Sequence, residues 1–252
     1  RKLYAIGVRF FAVSSFEEAV RVRKWCPEAE ILILGYTSPE CAPMLAEQNI
    51  LQAVVSGEYA RMLSDFASPG RPVRCHVKLD TGMGRIGIPA MDTQACLAQM
   101  ENILSRGGLQ VEGIFTHFSK ADEADKAFAN GQLQSFLSFV KKCEEENDYK
   151  FKLVHCSNSA GIIDMPDANL DMVRAGIILY GMWPSEDVDK TAVDLEPVLS
   201  LKSHIVYVKD VEAGIPVSYN GTYITERTTR IATIPVGYAD GYPRNLSNTG
   251  TV

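Results

Sequence analysis

Apolar residues recur from Phe10 to Ile177 in short runs, each followed by a stretch with helical spacing. Runs at 10–13, 31–34, 52–55, 73–79, 111–118, 152–156 and 171–174 have the length of strands. Patterns at 16–25, 39–48, 59–66, 93–106, 127–146 and, briefly, 159–164 have the spacing of helices. Short apolar strands separated by helices predict parallel pairing with crossover connections. A repeat this regular predicts an α/β chain built as a (β/α)8 TIM-type barrel. About seven strands are visible where a closed barrel has eight, and the first begins close to Arg1. The missing first strand is therefore expected upstream of Arg1. Beyond Pro184 the rhythm changes. Segments 199–207, 214–217 and 230–235 are strand-like, with glycine turns and no helix between them, which predicts a mainly antiparallel β domain. That pattern breaks off at Val252. The expected organisation is a barrel over residues 1–190 and an incomplete β domain over 191–252.

The stretch 75–88, CHVKLDTGMGRIGI, ends its strand abruptly. Val73, Cys75, Val77 and Leu79 alternate with Arg74, His76, Lys78 and Asp80, then Asp80-Thr81-Gly82-Met83-Gly84-Arg85 turns the chain. Gly82, Gly84 and Gly87 spell G-x-G-x-x-G, but a dinucleotide site needs a helix opening directly from the glycines. Here Ile86 and Ile88 continue an extended pattern, Pro89 disfavours helix at Ile88, and helical spacing resumes only near Thr93. The dinucleotide reading is set aside. Lys78 and Arg85 read either as site residues or as solvated rim charges.

Composition narrows the classes. A net charge of −6 without a basic run argues against nucleic acid as a partner. No apolar run reaches the roughly 20 residues of a membrane span, and no secretory leader pattern is visible. The six cysteines lack paired spacing and read as reduced thiols in a cytoplasmic protein, and the four histidines show no metal-ligand spacing.

Candidate chemistry gathers at strand ends: Lys78, Asp80 and Arg85; Thr116-His117-Phe118; His155-Cys156-Ser157-Asn158-Ser159-Ala160-Gly161; and Arg174-Ala175-Gly176-Ile177. In a barrel all of these meet at the carboxyl-end face, and small residues after the last two strands suit a phosphate. A lone histidine is usually structural; two histidines and two arginines at strand ends are not a lone case. Two glycine-bounded turns, 217–221 and 235–242, present Tyr219 and Tyr238. From composition alone each reads as a packing or interface residue.

The segments HVKLDTGMGRIGI, FTHFSKADE, HCSNSAG, DMVRAGIILYG, VSYNGTY and IPVGYADGYPR, in this order, resemble successive motifs of bacterial alanine racemases, pyridoxal-phosphate enzymes of fold type III. The resemblance implies that Tyr219 is one of two catalytic bases, delivered across a homodimer interface to the partner's site. It places His117 beside that tyrosine, and Arg174 at the pyridine nitrogen with His155 behind it. It assigns Ser159, Gly176 and Ile177 to the cofactor phosphate with Asn158 adjacent, Arg85 to the cofactor and the substrate carboxylate, and Tyr238 to the substrate entrance. Lys78 matches the family's carbamylated lysine. Two features of the family are not found: the lysine motif that anchors the cofactor and supplies the second base, and the C-terminal segment that helps read the substrate. The implied reaction is interconversion of L- and D-alanine, supplying D-alanine for peptidoglycan, and these 252 residues alone are expected to be inactive. The competing readings are a serine racemase of the vancomycin-resistance type and a non-catalytic cofactor-binding barrel protein. The β domain and Tyr219 argue against the last, which is barrel only.

Overall fold

A computed structural model describes residues 1–251. The chain forms two compact units, Arg1–Val198 and Leu199–Val252. In the first, the short helix α1 (Lys2–Ala5) precedes strand β1 (Phe10–Val13), which lies where the first apolar run placed it. There follow α2 (Phe16–Trp25), β2 (Glu30–Ile33), a 3-10 turn leading into α3 (Ala42–Glu47), β3 (Leu51–Val54) and α4 (Gly57–Phe66). Next come β4 (Val73–Asp80), the two-residue β5 (Ile88–Pro89), α5 (Thr93–Leu104), β6 (Leu109–Phe115), α6 (Ala127–Asn147), β7 (Leu153–His155) and α7 (Ser159–Asp164). The helix starts follow from side-chain caps: Ser15, Ser56, Asp92 and Asn158 each accept a backbone N–H of the first turn.

All pairings in this unit's sheet are parallel, in the order β1-β2-β3-β4-β6-β7, with β5 beside the end of β4. The sheet curls into part of a TIM-like barrel. Between sheet and helices lies a continuous core in which Ile31, Ile33, Leu45, Leu63, Leu79, Phe118 and Phe136 are fully buried.

The run 171–174, expected as a seventh strand, is not one. It touches β7 and the residues beyond it at two points, Asp171 N–H to Val154 O (3.2 Å) and Arg174 N–H to Ser157 O (3.0 Å). Leu170 has φ +31°, which breaks the extended path just before it. The Asp171 carboxylate, rather than a backbone carbonyl, accepts the Val154 N–H at 2.8 Å. A side chain has taken the ladder's place.

The second unit holds two antiparallel pairs, β8 (Tyr207–Val211) with β11 (Thr229–Thr233), and β9 (Pro216–Val217) with β10 (Tyr223–Ile224). The expected strand at 199–207 lies instead at 207–211. Lys209 and Asp210 lie inside the strand, where Asp210 sits opposite Arg230 and takes a two-point ion pair from it at 2.8 and 3.0 Å.

Candidate active site

Strand β4 carries its polar positions inward. His76 is fully buried and Lys78 is 3% exposed. Simple alternation would have put them in water; a curled parallel sheet covers both faces of its strands. Lys78 is therefore not a rim charge. Burial, then the charges of Arg85 and Arg174, pull its ammonium down to about 8. Beyond it Asp80 accepts the N–H groups of Gly82, Met83 and Gly84 at 2.8–3.0 Å. Burial opposes ionisation of Asp80, and these three donors outweigh it, holding the carboxyl below its usual range. Gly87 is obligatory here: at φ +126° a Cβ would lie 3.0 Å from Leu79 C and Asp80 N. No helix opens at these glycines; they shape the turn that presents Arg85. Arg85 is exposed and has no side-chain hydrogen bond to a described residue, yet its charge is close enough to depress both Lys78 and His117.

Arg174 is the hub. The residue is 9% exposed, and its guanidinium reaches His155 Nδ1 (2.6 Å), Thr116 O (2.7 Å), Cys156 O (2.9 Å) and His117 Nδ1 (3.3 Å). Burial lowers it to about 10, so it stays charged at neutral pH. Because a guanidinium only donates, His155 Nδ1 must accept, and its hydrogen sits on Nε2. That nitrogen is 2.9 Å from His76 Nδ1, which must accept in turn. The ring of Phe115 stacks on His155 at 4.9 Å, fixing its plane. His76 was missed as a site residue; its place on the polar face of β4, two residues before Lys78, was the available signal. One buried donor of the hub, Arg174 Nε, has no partner among the described residues.

Burial holds three histidines neutral, helped by the Arg174 charge at each and by Arg74 at His76: His76 down to about 4, His117 down to about 3, and His155 well below its ordinary value. Between pH 6.5 and about 4.5 the unfolded chain therefore binds protons that the folded chain rejects. Unfolding free energy should fall with falling pH in that window, by up to about 1.4 kcal/mol per pH unit for each histidine. Urea midpoints at pH 7.5, 6.5 and 5.5 check this above the carboxylate range; an unchanged midpoint would mean the histidines ionise in place.

At the end of β7, Asn158 caps α7 by accepting the Gly161 N–H at 3.0 Å, and its amide nitrogen donates to Phe118 O at 3.2 Å. Its side chain thus serves the loop more than it faces outward. Ser159 accepts the Gly176 N–H at 2.9 Å, which leaves its hydroxyl hydrogen for another acceptor. Ile177 opens a 3-10 turn capped by Gly176, where first-turn N–H groups have no partner within the turn.

The whole segment matches a known family. Residues 1–184 match the model of the alanine racemase N-terminal domain, and residues 198–252 that of the alanine racemase C-terminal domain. The chain belongs to the alanine racemase family. It is 42% identical to the alanine racemase of Desulforamulus reducens over 247 residues, covering 98% of this chain and 66% of that protein. It is 43% identical to that of Clostridium perfringens, covering 98% and 63%. Among solved structures, alanine racemase of Clostridium difficile 630 superposes with a TM-score of 0.84 at 38% identity, covering 96% of this chain and 63% of that one. The chain therefore spans about two-thirds of the length of these alanine racemases.

In the second unit, Tyr219 and Tyr238 line one open cavity of about 760 Å³ with Tyr242 and Arg244. Tyr219 is 92% exposed on a turn whose flanking residues are strained: Ser218 at φ +64°, ψ −165° and Asn220 at φ +60°. Tyr238 is 75% exposed, on a turn closed by Gly237 N–H to Asp240 at 3.0 Å. Among the described residues no helix is long and apolar enough to cross a membrane, and no cluster of metal ligands is found.

Proposed function

We propose that this chain supplies most of the cofactor and substrate machinery of a pyridoxal-phosphate-dependent alanine racemase. The observation that carries the reading is Arg174: a buried cation whose Nη1 and Nη2 reach four acceptors and whose buried Nε has no partner among the described residues. Buried donors are almost always paired, so Nε calls for an acceptor from outside the chain. A pyridine nitrogen fits, and Arg174 would hydrogen-bond it without giving up its proton. The Ser159 hydroxyl and the turn at Gly176–Ile177 suit the phosphate, with Asn158 holding their loop. The bound cofactor supplies an electron sink that makes the substrate Cα proton removable. Arg85 would hold the substrate carboxylate, and Lys78, lowered to about 8, would offer the amine for carbamylation. Tyr219 would remove or return the Cα proton at one face, with His117 as its neighbour in a homodimer partner's site, and Tyr238 would line the approach.

The barrel portion would then be residues 1–190 and the β domain 191–252, in a cytoplasmic enzyme whose product feeds peptidoglycan. Identities of 42 and 43% to alanine racemases favour alanine over serine as substrate. The test is turnover by the full-length protein with added cofactor: L-alanine should become a racemic mixture, and alanine should be preferred to serine. A protein that binds the cofactor but leaves optical activity of alanine unchanged would overturn the reading.

A further inference from the structure

Gln132 occupies an inward position of α6, in register with Ala129, Phe136, Phe139 and Cys143, where the helix otherwise buries mostly apolar side chains. It is 2% exposed. A buried amide in such a place is costly unless its donors and acceptors are matched, and here they are. Ser119 N–H donates to its side-chain oxygen at 3.0 Å, with the Ser119 hydroxyl 3.3 Å from the same atom. Since a backbone N–H can only donate, the orientation of the amide is settled. Its nitrogen then donates to His117 O at 3.2 Å and to Thr81 Oγ1 at 3.4 Å. The Thr116 hydroxyl donates to Leu79 O at 3.1 Å, so across the 2.8 Å contact between the two threonines Thr81 must donate to Thr116. The bonds run one way, from Gln132 to Thr81 to Thr116 to the backbone of β4.

This run joins two segments that the sheet no longer holds together. Pairing of β4 with β6 ends at Lys78 and Phe115. Past those residues, the turn bearing Arg85 and the loop bearing His117 are tied to each other through these side chains.

We propose that Gln132 is a positioning residue that sets the placement of the His117 loop against the Lys78–Arg85 turn. The proposal rests on the racemase reading for what those groups do, and the test separates the two. In full-length Gln132→Met, which keeps the shape and loses every bond, hydrogen exchange should quicken together in segments 79–86 and 116–121 and nowhere else in the barrel strands. Turnover should fall about 10- to 100-fold, as expected for misplaced catalytic groups, with KM little changed. Gln132→Glu keeps the acceptor and donates only when protonated, so its deficit should deepen as pH rises through the range where a buried carboxyl ionises, whereas the Met deficit should be constant with pH. Exchange that quickens throughout the barrel, unchanged turnover in Gln132→Met, or a Glu deficit independent of pH would each overturn the proposal. A wild-type protein that does not turn over alanine would sink the racemase reading, while the exchange pattern would still decide the role of Gln132.

Discussion

Arg174→Leu should lose about 3 kcal/mol of folding stability, read as a lower urea midpoint at pH 7.5. Removing the guanidinium strands the carbonyls of Thr116 and Cys156 and the ring nitrogen of His155, all buried. Each orphaned acceptor costs about 1–3 kcal/mol. Against this stands relief: burial disfavours the charge on Arg174, lowering it to about 10, so the interior is rid of an expensive ion. The relief is the smaller quantity because the ion is already well solvated by four acceptors. The neighbouring histidines should respond too. His117 and His155 are both depressed partly by the Arg174 charge, so both would rise towards their unfolded values in the variant, and the loss of stability on acidification below pH 6.5 would be smaller than in the wild type. Arg174→Lys retains the charge but not the fork of donors, and should fall between the two. A Leu variant as stable as the wild type would show that the hub is not what holds the ends of β6 and β7.

How far the sequence reached can be argued from particular residues. Helices α2 and α7 were legible to the residue because a capping side chain, Ser15 or Asn158, stands before an unbroken apolar spacing. Strand β4 was legible because Val73 to Asp80 alternates cleanly. What alternation could not say is that its polar face is also buried; that depends on the curl of a sheet assembled from six distant segments. His76 was passed over for this reason, and Gln132 because a single buried amide on the inward face of α6 leaves no mark in the helical spacing. Each is a polar residue whose partners, at 79 and 13 to 51 positions away, are unrelated to it by any local period. The misplaced strand at 199–207 is the converse case. Leu199, Leu201 and Ile205 have strand-like spacing but remain 57–85% exposed, and the strand forms at 207–211, paired with 229–233. The candidate site was legible as a set of motifs, and its wiring through Arg174 was not.

Tyr219→Phe in the full-length protein should lower racemisation by about 10²- to 10⁴-fold, the range expected for loss of a positioned acid–base group. The structure makes this a clean deletion. Within its own chain the ring is 92% exposed, and phenylalanine keeps the ring, so the fold of the chain forfeits no packing and its stability should change by less than about 0.5 kcal/mol. The strain at Ser218 and Asn220 lies in the backbone and is untouched by the substitution. Alanine enantiomers have equal free energy in achiral solvent, so the two directions of net racemisation must fall by the same factor. Comparing forward and reverse rates therefore cannot reveal a two-base mechanism. Exchange of the Cα hydrogen can. In heavy water a base on the other face can still remove the proton of one enantiomer and return a deuteron to the same face. One enantiomer should then incorporate deuterium with retention, while the other incorporates little. Equal incorporation into both enantiomers at wild-type rates would mean that Tyr219 does not move the Cα proton, and the strained turn would need another purpose.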